Sequence, residues 1–209
     1  MSRDFEAMQA DAARYWEERY RAASPRTSGK PGKALQRFAG SLPTGSALEL
    51  GCGKGDDAVW LAGRGWSVVA VEISRTALDY AAANAERAGV SDRIAFEQHD
   101  LSRTFPDGTF DLVAVSFLAA FPRDGVFRRA AQAVATGGHL LIIDHGSRSP
   151  WSSAPADWRF LTAAETLETL DLDERNWAPV HVDALDREAT GPDGEIATVR
   201  DSVIFLKRL

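Results

Sequence analysis

The chain has 209 residues, 44% of them hydrophobic, 26% charged and 9% aromatic, with a formal net charge of −6. This length and composition suit one globular domain with a full core, and exclude a disordered, collagen-like or disulfide-stapled chain. The acidic balance argues against non-specific nucleic-acid binding, and the single cysteine, Cys52, has no partner for an intramolecular disulfide. The start, MSRDFEAMQADAARYWEERY, lacks an apolar signal core, and the longest apolar runs, FDLVAVSFLAAF and LLIIDHG, fall short of a membrane span. A soluble, cytoplasmic protein with neither membrane nor nucleic-acid partner is the expectation.

Residues 4–22 read as one helix, with Phe5, Met8, Ala12, Tyr15, Trp16 and Tyr20 forming an apolar-aromatic stripe at helical spacing. SPRTSGKPGK, 24–33, reads as a loop from its prolines and glycines, and 34–39 as a short helix. From residue 46 strands and helices alternate. A strand over 47–50 runs into glycines, and a helix follows over 57–62. SVVAV, 67–71, is apolar on both faces, as a buried parallel strand is. Ser74 caps a helix carrying Ala77, Leu78, Ala81 and Ala85, and Gly89 ends it. Strands are expected over 93–97 and 111–116. A helix over 127–134, ended by Gly137 and Gly138, leads to a strand over 139–144. Thr162 and Glu165 make a capping box that opens another helix. Residues 180–185 and 196–206 are strand-like and joined through GPDG, which implies an antiparallel hairpin. The pattern predicts an α/β, Rossmann-like, seven-stranded mostly parallel sheet with an antiparallel C-terminal hairpin and helices on both faces. One domain over 1–209 is expected, divided into an N-terminal helix and loop (1–33) and a core (34–209).

The sharpest local signal is ALELGCGKGDDAVWLA, 47–62. Gly51, Gly53 and Gly55 stand between a strand and a helix, where they permit a tight turn and close approach of a ligand to the backbone. The spacing is GxGxG. A dinucleotide fingerprint is GxGxxG, and Asp56 stands where its last glycine belongs. Asp56 and Asp57, two carboxylates at the helix start, also disfavour a pyrophosphate. Glu72 ends the second strand, where an acidic side chain suits a ribose diol; Asp100, after the third strand, suits an adenine amino group, with Leu101 beside the base. Alone, each has a bland alternative: a glycine-rich turn, a solvated strand-end carboxylate, a turn aspartate. Three such features, each after its own strand, favour a ligand site.

Together these segments resemble the class I S-adenosylmethionine-dependent methyltransferases. ELGCGKG is similar to that family's first motif, VVAVEIS to its acidic second strand, EQHDL to its adenine-side motif, and FDLVAVSFLAAFP and GGHLLIID to its fourth and fifth strands. The resemblance covers about 35–144. It implies S-adenosyl-L-methionine as cofactor, S-adenosyl-L-homocysteine as product, and a binding set of Glu49, Gly51, Cys52, Gly53, Gly55, Glu72, Ile73, Asp100, Leu101 and Ser116. YWEERY followed by SGKPG is similar to a small bacterial branch of tellurite-resistance-type and thiopurine-type methyltransferases. That likeness implies that 1–33 folds over the cofactor, with Trp16 and Tyr20 covering it; the alternative is that both rings only anchor the helix.

Methyl transfer from a sulfonium is an in-line displacement, so positioning and desolvation supply much of the acceleration and a strong base is not obligatory. After the fourth strand the residues are Ser116, Phe117, Leu118 and Ala119, not the Asn/Asp-Pro-Pro-Tyr/Phe of amide and nucleobase amino methylation. Ligands for a catalytic metal are not evident beside Asp144. A small-molecule acceptor with a thiol, hydroxyl, carboxylate or chalcogen centre remains. His145, after the fifth strand, is the candidate general base, with a structural histidine as the alternative. The loop over 146–160, with Trp151 and Trp158, is expected to form a partly ordered lid, the alternative being a disordered connector, and Phe117 and Phe121 to line the same pocket or else pack in the core. A nucleotide-dependent oxidoreductase and a catalytically silent cofactor binder are the competing functions, and the assembly is expected to be a monomer or homodimer.

Overall fold

The computed structural model describes residues 3–119, 122–152, 154 and 157–209, with side chains from residue 6 onward. Seven strands form one sheet in the order β3-β2-β1-β4-β5-β7-β6: β1 (Ser46–Leu50), β2 (Ser67–Glu72), β3 (Ile94–Gln98), β4 (Phe110–Ser116), β5 (Val134–His145), β6 (Trp177–Thr190) and β7 (Ile196–Arg208). β1 to β5 pair in parallel; β7 runs antiparallel between β5 and β6. This is the expected Rossmann-like α/β sheet with its C-terminal hairpin.

Alternate strand residues face opposite helical layers. Ala47, Leu112, Ala114 and Ile143 pack with α3 (Lys33–Ala39), α4 (Asp56–Gly63) and α5 (Arg75–Ala88). Leu48, Leu50, Val113, Val115 and Ile142 pack with α6 (Arg123–Gln132) and α7 (Ala163–Leu170). Strand order reverses between β1 and β4. Their carboxyl ends therefore flank the crevice in which open α/β sheets take ligands.

Local chemistry explains the boundaries. The Ser74 hydroxyl accepts from the Ala77 N–H, and Gly89 closes α5 in the left-handed region at φ 70°. The Thr162–Glu165 capping box forms as expected. Three expectations are corrected. The N-terminal helix is two helices, α1 (Arg3–Ala10) and α2 (Ala12–Ala22), because the Asp11 side chain accepts from the Arg14 N–H and starts a new helix. α6 starts four residues earlier than expected, directly after Pro122, and ends at Gln132. Gly137 and Gly138 do not end that helix but lie inside β5, where the pairing with β4 shifts register. A Cβ on Gly138 would sit 2.9 Å from the carbonyl oxygens of Ala135 and Asp111, so the glycine answers backbone crowding at the irregularity.

Candidate active site

The glycine turn is built from the backbone. Gly51, Gly53 and Gly55 have φ of 80°, 53° and 82°, values that L side chains rarely adopt. The Gly51 and Cys52 N–H groups both donate to the Val71 carbonyl at 2.8 Å, which binds the turn to β2. Cys52 is buried there, and burial pushes its thiol well above the ordinary range, so it is a packing residue with no thiolate character.

Glu72 faces this turn. Its carboxylate accepts from Gly53 N at 3.1 Å, Ile73 N at 2.8 Å and Ser74 N at 3.1 Å. Burial raises its pKa while those N–H groups hold it down. Glu49, on β1 just before the glycine turn, is 4% exposed, with Oε2 buried and without a hydrogen-bond partner. Burial, and then the Asp57 charge, push it well above the ordinary carboxylate range. Asp100 binds its own turn: Oδ1 accepts from Ser102 N at 3.0 Å and Ser102 Oγ at 2.6 Å, and Oδ2 pairs with Arg103 at 3.4 Å.

Two cavities meet at the carboxyl ends of the strands. The first, about 400 Å³, brings together Gly51, Glu72, Ile73, Asp100 and Leu101 beneath Trp16 and Tyr20. The second, about 800 Å³, lies beside it and is walled by Tyr15, Trp151, Trp158 and Phe160, with His145 on its sheet side. Met8, Trp16, Phe117, Leu118 and Ala119 belong to both. Phe121, expected on this wall, lies outside the described residues. Glu49, Cys52 and Ser116 line a third, smaller space on the other side of Gly51. Gly53 and Gly55 line none of the three, although the Tyr20 hydroxyl lies 2.9 Å from where a Gly53 Cβ would stand. Burial, with Glu72 close by, raises the Tyr20 pKa. His99 bonds to Thr104 Oγ1 at 2.9 Å and Glu97 Oε2 at 3.1 Å.

The residues that fix the N-terminal segment over these cavities escaped the sequence reading. Asp57 Oδ1 accepts from Gly32 N at 2.7 Å and Oδ2 from Ser116 Oγ at 3.3 Å. Asp56 accepts from the hydroxyls of Thr27 and Ser28. Lys54 Nζ donates to the Ser24 carbonyl at 2.6 Å. Glu17 receives Ser74 Oγ at 2.8 Å, Thr76 N at 3.2 Å and Thr76 Oγ1 at 2.6 Å at the start of α5, and these bonds hold its carboxyl at about 2. Asp56 and Asp57 thus have an occupant, the 24–33 strap, at the helix end where a dinucleotide would lay its pyrophosphate.

Residues 47–138 match the model of a family described as a methyltransferase domain. The chain carries a class I S-adenosylmethionine-dependent methyltransferase domain. S-adenosylmethionine is the cofactor of this methyltransferase domain. Over 137 residues the chain is 32% identical to 27-O-demethylrifamycin SV methyltransferase of Amycolatopsis mediterranei (strain S699), covering 62% of this chain and 49% of that protein. Over 136 residues it is 32% identical to probable thiol methyltransferase 2 of Arabidopsis thaliana, covering 61% and 60%. The chain thus spans about half to three-fifths of these relatives. A solved structure described as "Conversion of a Disulfide Bond into a Thioacetal Group during Echinomycin Biosynthesis" has a TM-score of 0.70 at 25% identity, covering 94% and 92%. These likenesses do not assign the methyltransferase domain to the tellurite-resistance-type or thiopurine-type branch. No helix among the described residues is long and apolar enough to cross a membrane.

Proposed function

We propose that the chain transfers a methyl group from S-adenosylmethionine to a small-molecule hydroxyl or thiol with a bulky, flat apolar body. The observation that carries this reading is the pair of cavities sharing the wall of Trp16, Phe117 and Leu118. The first suits the cofactor in size, within the roughly 300–1,000 Å³ of small-ligand sites. The second is about twice as large, and its tryptophan and phenylalanine walls favour an aromatic or fused-ring body over a bare inorganic anion.

The donor set fits a cationic adenosyl ligand. Glu49 brings a buried acceptor oxygen with no partner, which an ammonium group would satisfy. Glu72 is the ribose acceptor and Asp100 the adenine acceptor in this reading, with Leu101 and Ile73 against the base. Ser116, bonded to Asp57, shapes the methionine end, and Gly51, Gly53 and Gly55 bring backbone close to it. Trp16 and Tyr20 exclude water from above.

When bound, the cofactor supplies an electrophilic methyl on a sulfonium. The chain's own part is to hold the acceptor in line and take its proton. Burial lowers the His145 pKa, so the imidazole is neutral at pH 7 and open to a proton from an acceptor hydroxyl. As the acceptor takes the methyl group its proton would pass to the His145 imidazole and from there to water. Thiol acceptors, partly ionised already, depend less on that base.

Turnover with a radiolabelled methyl donor tests the reading, using aromatic hydroxyls, bulky thiols, hydrogen sulfide and tellurite as acceptors. Label is expected in the bulky hydroxyls or thiols. Bound donor with no transfer to any of them would instead support a silent binding protein, and transfer to the inorganic acceptors alone would remove the bulky class.

A further inference from the structure

We infer that Phe117 positions His145 and the acceptor, and that Arg187 and Asp201 of the C-terminal hairpin hold Phe117 in place; this rests on the reading of His145 as the base. Four independent observations converge on the phenylalanine. Its φ is 52°, a left-handed value that is uncommon for a bulky residue and strains the backbone unless its surroundings fix it. It follows β4 directly, and its N–H donates to the Ile143 carbonyl at 2.8 Å, so the strained residue is locked to β5. Its side chain borders all three cavities, which makes it the partition between the cofactor and acceptor sides. Its ring meets the His145 ring at 4.6 Å, tilted 31°.

The support comes from the hairpin. The Arg187 guanidinium lies 5.4 Å from the Phe117 ring centroid, and its Nε donates to Asp201 Oδ2 at 2.6 Å. Asp201 is 4% exposed and stands opposite His145 in the β5–β7 pairing. A cation on an aromatic face is worth most where water is excluded, and the Asp201 carboxylate fixes where that cation sits. The chain of contact is therefore Asp201 to Arg187 to Phe117 to His145. The charged groups acting on His145 are Asp144 and Asp201, which raise its pKa, and Arg187 and Arg123, which lower it.

The test is the His145 side-chain titration, followed by nuclear magnetic resonance in the full chain, together with steady-state kinetics. In Arg187→Met the cation is lost and Asp201 is left unpaired. The His145 pKa is expected to rise, kcat to fall at least tenfold, and affinity for S-adenosylhomocysteine to stay within about twofold. Arg187→Lys is expected to restore most of both. Phe117→Leu, which removes the ring and leaves the Arg187–Asp201 pair intact, is expected to lower kcat in the same way and decides the matter if Arg187→Met does not fold. A His145 titration and kcat unchanged in Arg187→Met, or a Phe117→Leu enzyme with wild-type kcat, overturns the inference. The titration needs no turnover. A wild-type chain that transfers no methyl group overturns the functional reading alone; the contact chain is then decided by the His145 titration in Phe117→Leu, where the Arg187 charge remains and an unchanged titration overturns it.

Discussion

The Asp57 carboxylate accepts the Gly32 N–H at 2.7 Å, so the helix that follows the glycine turn holds the strap that lies beside it. Asp57 is 9% exposed, and burial raises its pKa against the pull of that N–H and of Ser116. The same helix holds the strap a second time through Asp56, and Lys54 holds it a third. The turn therefore does two things. Its inner side faces the candidate ligand and its outer side fastens the cover.

Glu17 fastens the helical part of the cover. Replacing it with alanine leaves Thr76 N and the two hydroxyls at the start of α5 without their acceptor, and is expected to remove about 1–2 kcal/mol of stability. Faster hydrogen exchange along Ala12–Ala22 would accompany it. The carboxyl is held at about 2 against an ordinary 4.5, so its contribution is complete above pH 4.5 and fades as pH falls towards 2. Denaturant melts of wild type and Glu17→Ala should converge over that window. Equal stability of the two proteins at pH 7 contradicts the assignment.

Gly53 and Gly55 separate a site glycine from a fold glycine. An alanine Cβ at position 55 would lie 2.9 Å from Ala81 Cβ and 3.3 Å from Ala81 Cα, in helix backbone that has no room to yield. At position 53 it meets the Tyr20 hydroxyl, which can swing away. Both substitutions strain the turn, by about 1–3 kcal/mol. Gly55→Ala is expected to lower Tm the more, and Gly53→Ala to show the larger loss of S-adenosylhomocysteine affinity, about tenfold or more. Thermal melts and calorimetry on the pair check this order.

Much of this was legible in the sequence because the signals were local. Ser74, Gly89 and the Thr162–Glu165 box act within one helical turn, and the GxGxG spacing, Glu72 and Asp100 each follow their own strand. What was not legible depends on residues far apart in the chain. Asp57 finds Gly32 and Glu17 finds Ser74 only after folding, so the two aspartates read as a bar to pyrophosphate and nothing more. Gly137–Gly138 read as a helix stop because the crowding of Gly138 against Phe110 and Asp111 of β4 has no local signature. The break at Asp11 was hidden because the aromatic stripe keeps helical spacing on both sides of it.

His145 gives a pH signature if the acceptor is a hydroxyl. Burial lowers its pKa below the ordinary 6.5, so the neutral base is available at pH 7 and disappears only as pH falls through that lowered pKa. The acid limb of kcat/KM should report this group, and His145→Gln should abolish the limb and slow transfer by about 10²–10⁴. A limb that persists in His145→Gln assigns the base elsewhere.

Trp158 lines the larger cavity and not the smaller one. Trp158→Ala is expected to raise the acceptor KM about tenfold and leave the Kd for S-adenosylhomocysteine unchanged. Parallel loss of both would mean that the two cavities are not the separate compartments described.

Calorimetric titration of the wild-type chain and Glu72→Gln with S-adenosylhomocysteine, with NADH as control, tests the central claim most directly. One-to-one binding of S-adenosylhomocysteine, none of NADH, and at least tenfold weaker binding in a folded Glu72→Gln protein are the predicted results. S-adenosylhomocysteine binding that is absent, or equally tight without the Glu72 carboxylate, would contradict the account.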